Sequence, residues 1–326
     1  MIMRRTSSIL VLAFALTIPS IAAAQDEPYP SRPVRLIAAA GPGGNPDVLG
    51  RLLAEKFTNA MGKPFVVENM PGAGGVVAAN LVAKASPDGH VLMLGDSGAL
   101  AINAALNPNL TYHPVKDFTP ITALVTLPTI MVSHPSTPAN TLAEFIALAK
   151  KEPGKLSYGS AGPGSIHHLT MAIFADRAGI ELLHVPYRGG SAMVNGLLAG
   201  EITAGWSGIP NVMELIAAGR LRAYCISIPQ RSPSVPAIPT CDEIGQKGFD
   251  IATMMGLQAP VGAPARVVAR LQTEAAKAMR EPAMAARMTQ LGMVMQENGT
   301  AHYRKFMSDD MERYAQAVKK LNLQIR

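Results

Sequence analysis

One five-residue punctuation occurs twice in this chain, each time between a strand-like run and a helix start. Ala40-Gly41-Pro42-Gly43-Gly44 follows the β-rich run 34–39, and Ala161-Gly162-Pro163-Gly164-Ser165 follows 156–159. A glycine-rich turn that ends a strand and opens a helix is the joint of a β-loop-α unit. The surroundings repeat as well. Run 65–68 ends in Pro71-Gly72-Ala73-Gly74-Gly75, and run 181–185 ends in Pro186-Tyr187-Arg188-Gly189-Gly190. Run 90–94 leads into Ser97-Gly98, and run 202–206 into Ser207-Gly208. This order predicts two related α/β lobes, each a mainly parallel sheet flanked by helices.

The first helix shows how the pattern is read. Asn45 suits an N-cap and Pro46 the first helical position. Val48, Leu49, Leu52, Leu53 and Phe57 then recur on one face, and Gly62 supplies the stop. The length agrees with two lobes, because 326 residues exceed what one hydrophobic core usually organises. The expected division is 25–127 for the first lobe, 128–248 for the second and 249–326 for a return to the first. That tail reads as a strand at 254–259 and helices at 264–279, 282–291 and 302–321, packed on the first lobe. Two crossings between lobes form a hinge, and the expected shape is a clamshell.

Residues 1–24 read as a secretory signal peptide. Arg4 and Arg5 precede a short apolar run, and Ala22-Ala23-Ala24 supplies small residues before a cut at Gln25. The run is too short to span about 30 Å of hydrocarbon, and Pro19 interrupts it. Export makes a disulfide possible and nucleotide cofactors scarce. Two readings of Cys225 and Cys241 stand: a bridge, or two small buried side chains.

Composition excludes several classes. With 48% hydrophobic and 16% charged residues the chain is not disordered. The net charge of +6 is spread out, aromatics are 5% and there is one tryptophan, which argues against a nucleic-acid partner. Two cysteines cannot build a four-cysteine zinc site, and adjacent His167 and His168 diverge by about 100° on a helix, so no metal is expected. One of those histidines is expected to make a first-turn contact and the other to be exposed.

In open parallel sheets ligands bind beyond the carboxyl ends of the strands, where the glycine loops lie. A helix N-terminus there offers unpaired N–H groups and about half a positive charge. Two opposed loops can grip a carboxylate from both ends without lysine or arginine. The partial Gly41, Gly43 and Glu68 pattern of a dinucleotide site has Pro46 at its third glycine position, so no cofactor is expected. Gly95-Asp96-Ser97-Gly98 resembles the nucleophile motif of secreted serine proteases, but Ala99 replaces the last glycine of a hydrolase elbow. A secreted serine hydrolase using Ser97 is the alternative function, with Ser97→Ala as its test.

These residues together resemble the periplasmic solute-binding proteins of tripartite tricarboxylate transporters, the Bug receptors. The resemblance runs from about Tyr29 to the C-terminus. It is carried by Tyr29-Pro30-x-x-Pro33, Gly43-Gly44-x-x-Asp47, Val67-Glu68-Asn69-x-Pro71-Gly72-Ala73-Gly74-Gly75 and Pro87-Asp88-Gly89. In the second lobe it is carried by Gly164-Ser165-x-x-His168-Leu169, Val185-Pro186-Tyr187-Arg188-Gly189-Gly190, Arg231-Ser232-Pro233 and Ile238-Pro239-Thr240.

The resemblance implies a periplasmic-binding-protein clamshell, monomeric and without enzymatic activity. It would close on a small carboxylate (a di- or tricarboxylate or an aromatic acid) and deliver it to the permease subunits of the inner membrane. It implies ligand contacts, partly through water, at Gly43, Gly44, Asp47, Gly164, Ser165 and His168. Asp47 is an acid beside an anion site, and it can serve there by accepting backbone N–H groups or fixing a water. Ser97 follows the third strand and is either a cleft residue or a turn residue. The family often has Asp where this chain has Asn195 and Ser207, so an amino-acid ligand is disfavoured. Trp206 would offer a stacking face to an aromatic acid if it faces the cleft, or belong to the core. Strand alternation puts Trp206 and Ser207 on opposite faces.

Overall fold

The computed structural model describes residues 28–296 and 299–320. The expected leader, 1–24, lies outside them. In the first lobe β1 (Val34–Ala38) leads to α1 (Asn45–Met61), β2 (Phe65–Asn69) to α2 (Val76–Ala83), and β3 (Val91–Asp96) to α3 (Ser97–Leu106). Strands β1, β2 and β3 pair in parallel. A long β4 (Phe118–Leu127) then carries the chain across to β5 (Thr129–Ser133), with only Pro128 between them.

The second lobe repeats the plan. After α4 (Leu142–Lys151) come β6 (Ser157–Ser160), α5 (Ile166–Ala178), β7 (Leu183–Pro186), α6 (Gly190–Leu198), β8 (Ala204–Gly208), α7 (Ile209–Ala217) and β9 (Arg222–Ile226). The chain returns through β10 (Thr253–Pro260), α8 (Ala265–Arg280), α9 (Pro282–Gln290), β11 (Val294–Met295) and α10 (Thr300–Lys320).

The two sheets run β11-β4-β10-β3-β1-β2 and β7-β6-β8-β5-β9. Both are mixed. β10 is antiparallel to β3, and β5 is antiparallel to β8. Each of these is the first strand after a crossing. A strand arriving from the hinge enters at the end where the β-loop-α strands finish, so it must run against them. The strand ends that carry the glycine loops therefore face the hinge and the other lobe. The crossings are tied together at the hinge, where Thr129 N–H donates to Ser227 Oγ at 3.0 Å and Ile251 N–H to the Ser227 carbonyl at 3.0 Å.

Strand alternation builds a core on each face of each sheet. In the first lobe Leu36 packs toward α1 and α8, whereas Ile37 packs toward α2 and α10. In the second, Met131 and Trp206 pack with α4 and α5, and Ile130 and Val132 with α6 and α7. Gly44, not Asn45, caps α1, so Asn45 and Pro46 are its first two helical residues. The tail expected to serve the first lobe divides. Tyr303 and Met307 of α10 lie in the first lobe's core, but Tyr314 lies in the second's, along with Ala101 and Ile102 of α3. Lys320 extends this bridge with an ion pair to Asp176 at 2.7 Å. Cys225 and Cys241 are joined in a disulfide, which settles the alternative their spacing left open.

Candidate functional site

The two glycine loops enter their helices with the same geometry, although Gly162 takes a φ of 123° and its counterpart Gly41 is not left-handed. Gly43 and Gly164 both take left-handed backbone, at φ 80° and 73°, where a side chain would be strained. The following residues, Gly44 and Ser165, cap their helices at φ/ψ of −68°/158° and −67°/158°. Gly44 N–H donates to the Gly41 carbonyl at 3.1 Å, and Ser165 N–H to the Gly162 carbonyl at 3.2 Å. The side chain four residues after each left-handed glycine then reaches back to its amide. Asp47 Oδ2 accepts from Gly43 N–H at 2.8 Å, and His168 Nδ1 accepts from Gly164 N–H at 3.1 Å.

This arrangement reassigns the expected roles. The amides of Gly43 and Gly164 are spent inside their own loops, so they are not the free donors. Asp47 is buried and holds its loop. Besides Gly43 it accepts from Asn69 Nδ2 at 2.9 Å and pairs with Arg51 at 2.9 Å. The Gly43 amide and the Arg51 guanidinium hold its carboxyl below the usual carboxylate range. Ser165 supplies a side-chain cap, its Oγ accepting from His168 N–H at 3.3 Å and donating to the Gly162 carbonyl at 2.7 Å. The first turns begin with Asn45 N–H and Asp47 N–H in α1, and with Ile166 and His167 N–H in α5, of which Ile166 lines the cleft described below. First-turn amides have no partner within their own helix.

Neither of the paired histidines is exposed, contrary to expectation. His168 makes the first-turn contact described above. His167 lies against the start of α6, where a Cβ placed on Gly190 would lie 3.8 Å from its ring. Burial pushes both imidazoles down to about 4, so both are neutral near neutral pH.

A cleft of about 740 Å³ lies between the lobes. Its second-lobe wall is the loop of Gly164 and Ser165 with Ile166. Its first-lobe wall comes from Gly74 in the β2–α2 loop, Asp96 at the end of β3, and Asn103 on α3. Asn103 Nδ2 donates to the Gly74 carbonyl at 2.8 Å, which fixes that wall. Gly43 and Gly44 lie on the adjacent loop and do not line this cavity. Among the described lining residues Asp96 alone is ionisable, and no lysine or arginine is present. Asn103 was not anticipated from sequence. It carries no motif and reaches the site only because α3 folds back beside the β2–α2 loop.

Two expected site residues are placed elsewhere. Trp206 is fully buried and stacks on Phe249 with ring centres 5.3 Å apart, inside the second lobe. Ser207 pairs with Ile130 within β8 and is also fully buried. Strand β8 continues to Gly208, two residues beyond the expected end, so neither side chain reaches the cleft. Ser97 opens α3 directly after Asp96. Its expected role rests on a side chain outside those described.

Residues 49–323 match the family described as "Tripartite tricarboxylate transporter family receptor". A relative from Pseudomonas sp. strain P51, the "UPF0065 protein in tcbD-tcbE intergenic region", is 36% identical over 283 residues, covering 86% of this chain and 84% of its own length. The structure of Rpa4515 from R. palustris with adipate superposes with a TM-score of 0.79 at 28% identity, covering 91% of this chain and 99% of that one. MatC from Rhodopseudomonas palustris with bound malate gives 0.75 at 30% identity, covering 89% and all of that chain. With its twin loops, mixed sheets and matched length, this chain belongs to the tripartite tricarboxylate transporter receptors, the Bug family of solute-binding proteins.

Proposed function

We propose that this protein is a periplasmic receptor that captures a small carboxylate between its lobes and presents it to the permease subunits of a tripartite transporter. The observation that carries this reading is the pair of loops that enter their helices alike. Each ties up its own glycine amide through an i,i+4 side chain and leaves first-turn helix amides for an anion. A helix N-terminus binds a carboxylate through N–H groups and its dipole, so a cleft without lysine or arginine suits this ligand. The adipate and malate held by related proteins support the same class. Gly164 and Ser165 shape the ligand wall, Asp47 and His168 hold the loops, and Gly43 and Gly44 complete the site when the lobes close. Ligand that bridges both lobes favours the closed form by its preference for that form, and the closed form is what the permease reads. The leader at 1–24 accounts for export, and the receptor acts as a monomer without covalent chemistry.

The test is a thermal-shift screen of protein refolded to remove carried-over ligand. The panel holds succinate, malate, citrate, adipate, glutamate, aspartate, benzoate, terephthalate and nicotinate. A ligand at about 100 times its Kd should stabilise the fold by about 2.7 kcal/mol. A clear shift with one class supports the receptor reading. No shift with any carboxylate, together with esterase turnover that Ser97→Ala abolishes, would replace it with the hydrolase.

A further inference from the structure

The twin loops are held by different chemistry, and the difference centres on a residue outside every motif. In the first lobe the acceptor that holds the loop is the Asp47 carboxylate, backed from β2 by Asn69. In the second it is the His168 imidazole, backed from β7 by His184. The two rings lie parallel, 4.0 Å apart at an interplanar angle of 3°. The Tyr158 ring of β6 stacks on His184 with centres 4.9 Å apart and on His168 at 6.3 Å. His184 Nε2 lies 2.7 Å from Ser160 Oγ. Ser160 Oγ in turn meets both polar atoms of Gly162, its N–H and its carbonyl, each at 3.1 Å. His184 thus touches the loop twice, through the ring of His168 at one end and through Ser160 at the other.

We propose that His184 is the positioning residue of the second-lobe loop, and that the His168–His184 pair makes ligand binding proton-sensitive through that lobe alone. This rests on the carboxylate reading above. The Nδ1 lone pair of His168 is committed to Gly164 N–H, so a proton can enter there only by breaking the bond that shapes the loop. A proton on His184 places a cation face to face with His168. Either event disturbs residues 162–165 and the Ile166 and His167 amides they present. The first-lobe loop has no such weakness, because the Asp47 carboxylate remains ionised through the same acid range.

Three other titratable groups among the described residues lie beside the pair or border its groove. Tyr158 faces it from β6, and burial pushes that hydroxyl well above its ordinary value. Asp176, from the last turn of α5, and Glu181, just before β7, border the same groove as His168. Asp176 is paired with Lys320. Both imidazoles are shifted down, His168 by burial and then by its neighbour, His184 by burial.

The experiment has two arms. In ligand-free protein, the imidazole signals and the Gly164 amide signal are followed by NMR from pH 8 to 4. The expected result is that the Gly164 amide titrates together with His168. A Gly164 amide that ignores His168 overturns the proposal. In the second arm, calorimetry measures adipate, malate and benzoate binding over the same range. Wild-type affinity should be level from pH 8 to about 5 and then fall as the protein takes up a proton, by more than the titration of the ligand's own carboxyl groups accounts for. His184→Phe keeps a stacking ring but loses Ser160, and should weaken binding at pH 8 by about fivefold to tenfold, the weight of one net hydrogen bond. His184→Gln keeps a polar contact to Ser160 and cannot carry the charge. It should restore the affinity at pH 8 and move the acid limb to higher pH, since His168 loses its repelling neighbour. Wild-type affinity and an unchanged acid limb in both variants would overturn the proposal. If none of the three probes binds the wild type at pH 8, the carboxylate reading fails, and the first arm still decides the role of the pair.

Discussion

Asp47→Ala is the sharpest probe of how the site is built. The carboxylate is buried and accepts from Gly43 N–H at 2.8 Å and from Asn69 Nδ2 at 2.9 Å, beside Arg51 at 2.9 Å. A hydrogen bond to a charged group contributes about 1.5–3 kcal/mol net, and the mostly exposed Arg51 adds about 0–1 kcal/mol. The carboxylate's own desolvation offsets part of this. The expected loss is about 3 kcal/mol, or roughly 4–5 °C in Tm for a chain of this size. The pH dependence supplies a second readout. Asp47 has its folded pKa depressed, so its stabilisation is full above its unfolded value of about 4 and is lost as pH falls through the folded value. The gap between wild type and Asp47→Ala, measured by thermal unfolding from pH 7 to 3, should therefore narrow below about pH 4. A gap under about 0.5 kcal/mol at pH 7, the range of ordinary surface substitutions, would refute the reasoning. So would a gap that stays undiminished at pH 3.

Three further outcomes are expected. Gly256→Ala should cost about 3 kcal/mol in urea unfolding, the upper end for overpacking, because its Cβ would run into the Tyr303 ring and lie 2.7 Å from the Thr122 carbonyl oxygen. Replacing Cys225 and Cys241 with alanine removes a bridge across a sequence separation of 16 and should lower stability by about 3 kcal/mol, read as a drop in the urea midpoint. Trp206→Leu should destabilise by about 2–3 kcal/mol yet leave ligand affinity unchanged. The lone tryptophan should emit as a buried indole whose fluorescence is insensitive to ligand.

The loops were legible before any coordinates because their requirements are local. A left-handed turn needs glycine, and a helix start needs a cap or a proline. Gly43, Gly164, Ser165 and Pro46 therefore announce themselves in order. The alternation of short apolar runs with helical periodicity announced the two parallel-strand units in the same way. Asp47 and His168 stood out only through the family resemblance. Their shared task, accepting the glycine amide, was not visible, because an aspartate and a histidine share no sequence signature for it. Trp206 illustrates a different limit. Alternation along β8 decided that it and Ser207 point apart, but not which face was open to solvent. The answer depended on Phe249, brought in from 43 positions downstream and stacked on the indole.

Local chemistry, then, determined the strand-loop-helix order, the repeat, and the helix starts that suit an anion. Those features depend on neighbours within a few residues, where backbone sterics and capping act. Only the tertiary structure decided the partners drawn from distant segments. It joined Cys225 to Cys241, laid α10 across both cores, placed Asn103 beside Gly74 and seated His184 against His168. Each of these is a contact between groups whose separation along the chain says nothing about their separation in space, so packing alone could bring them together.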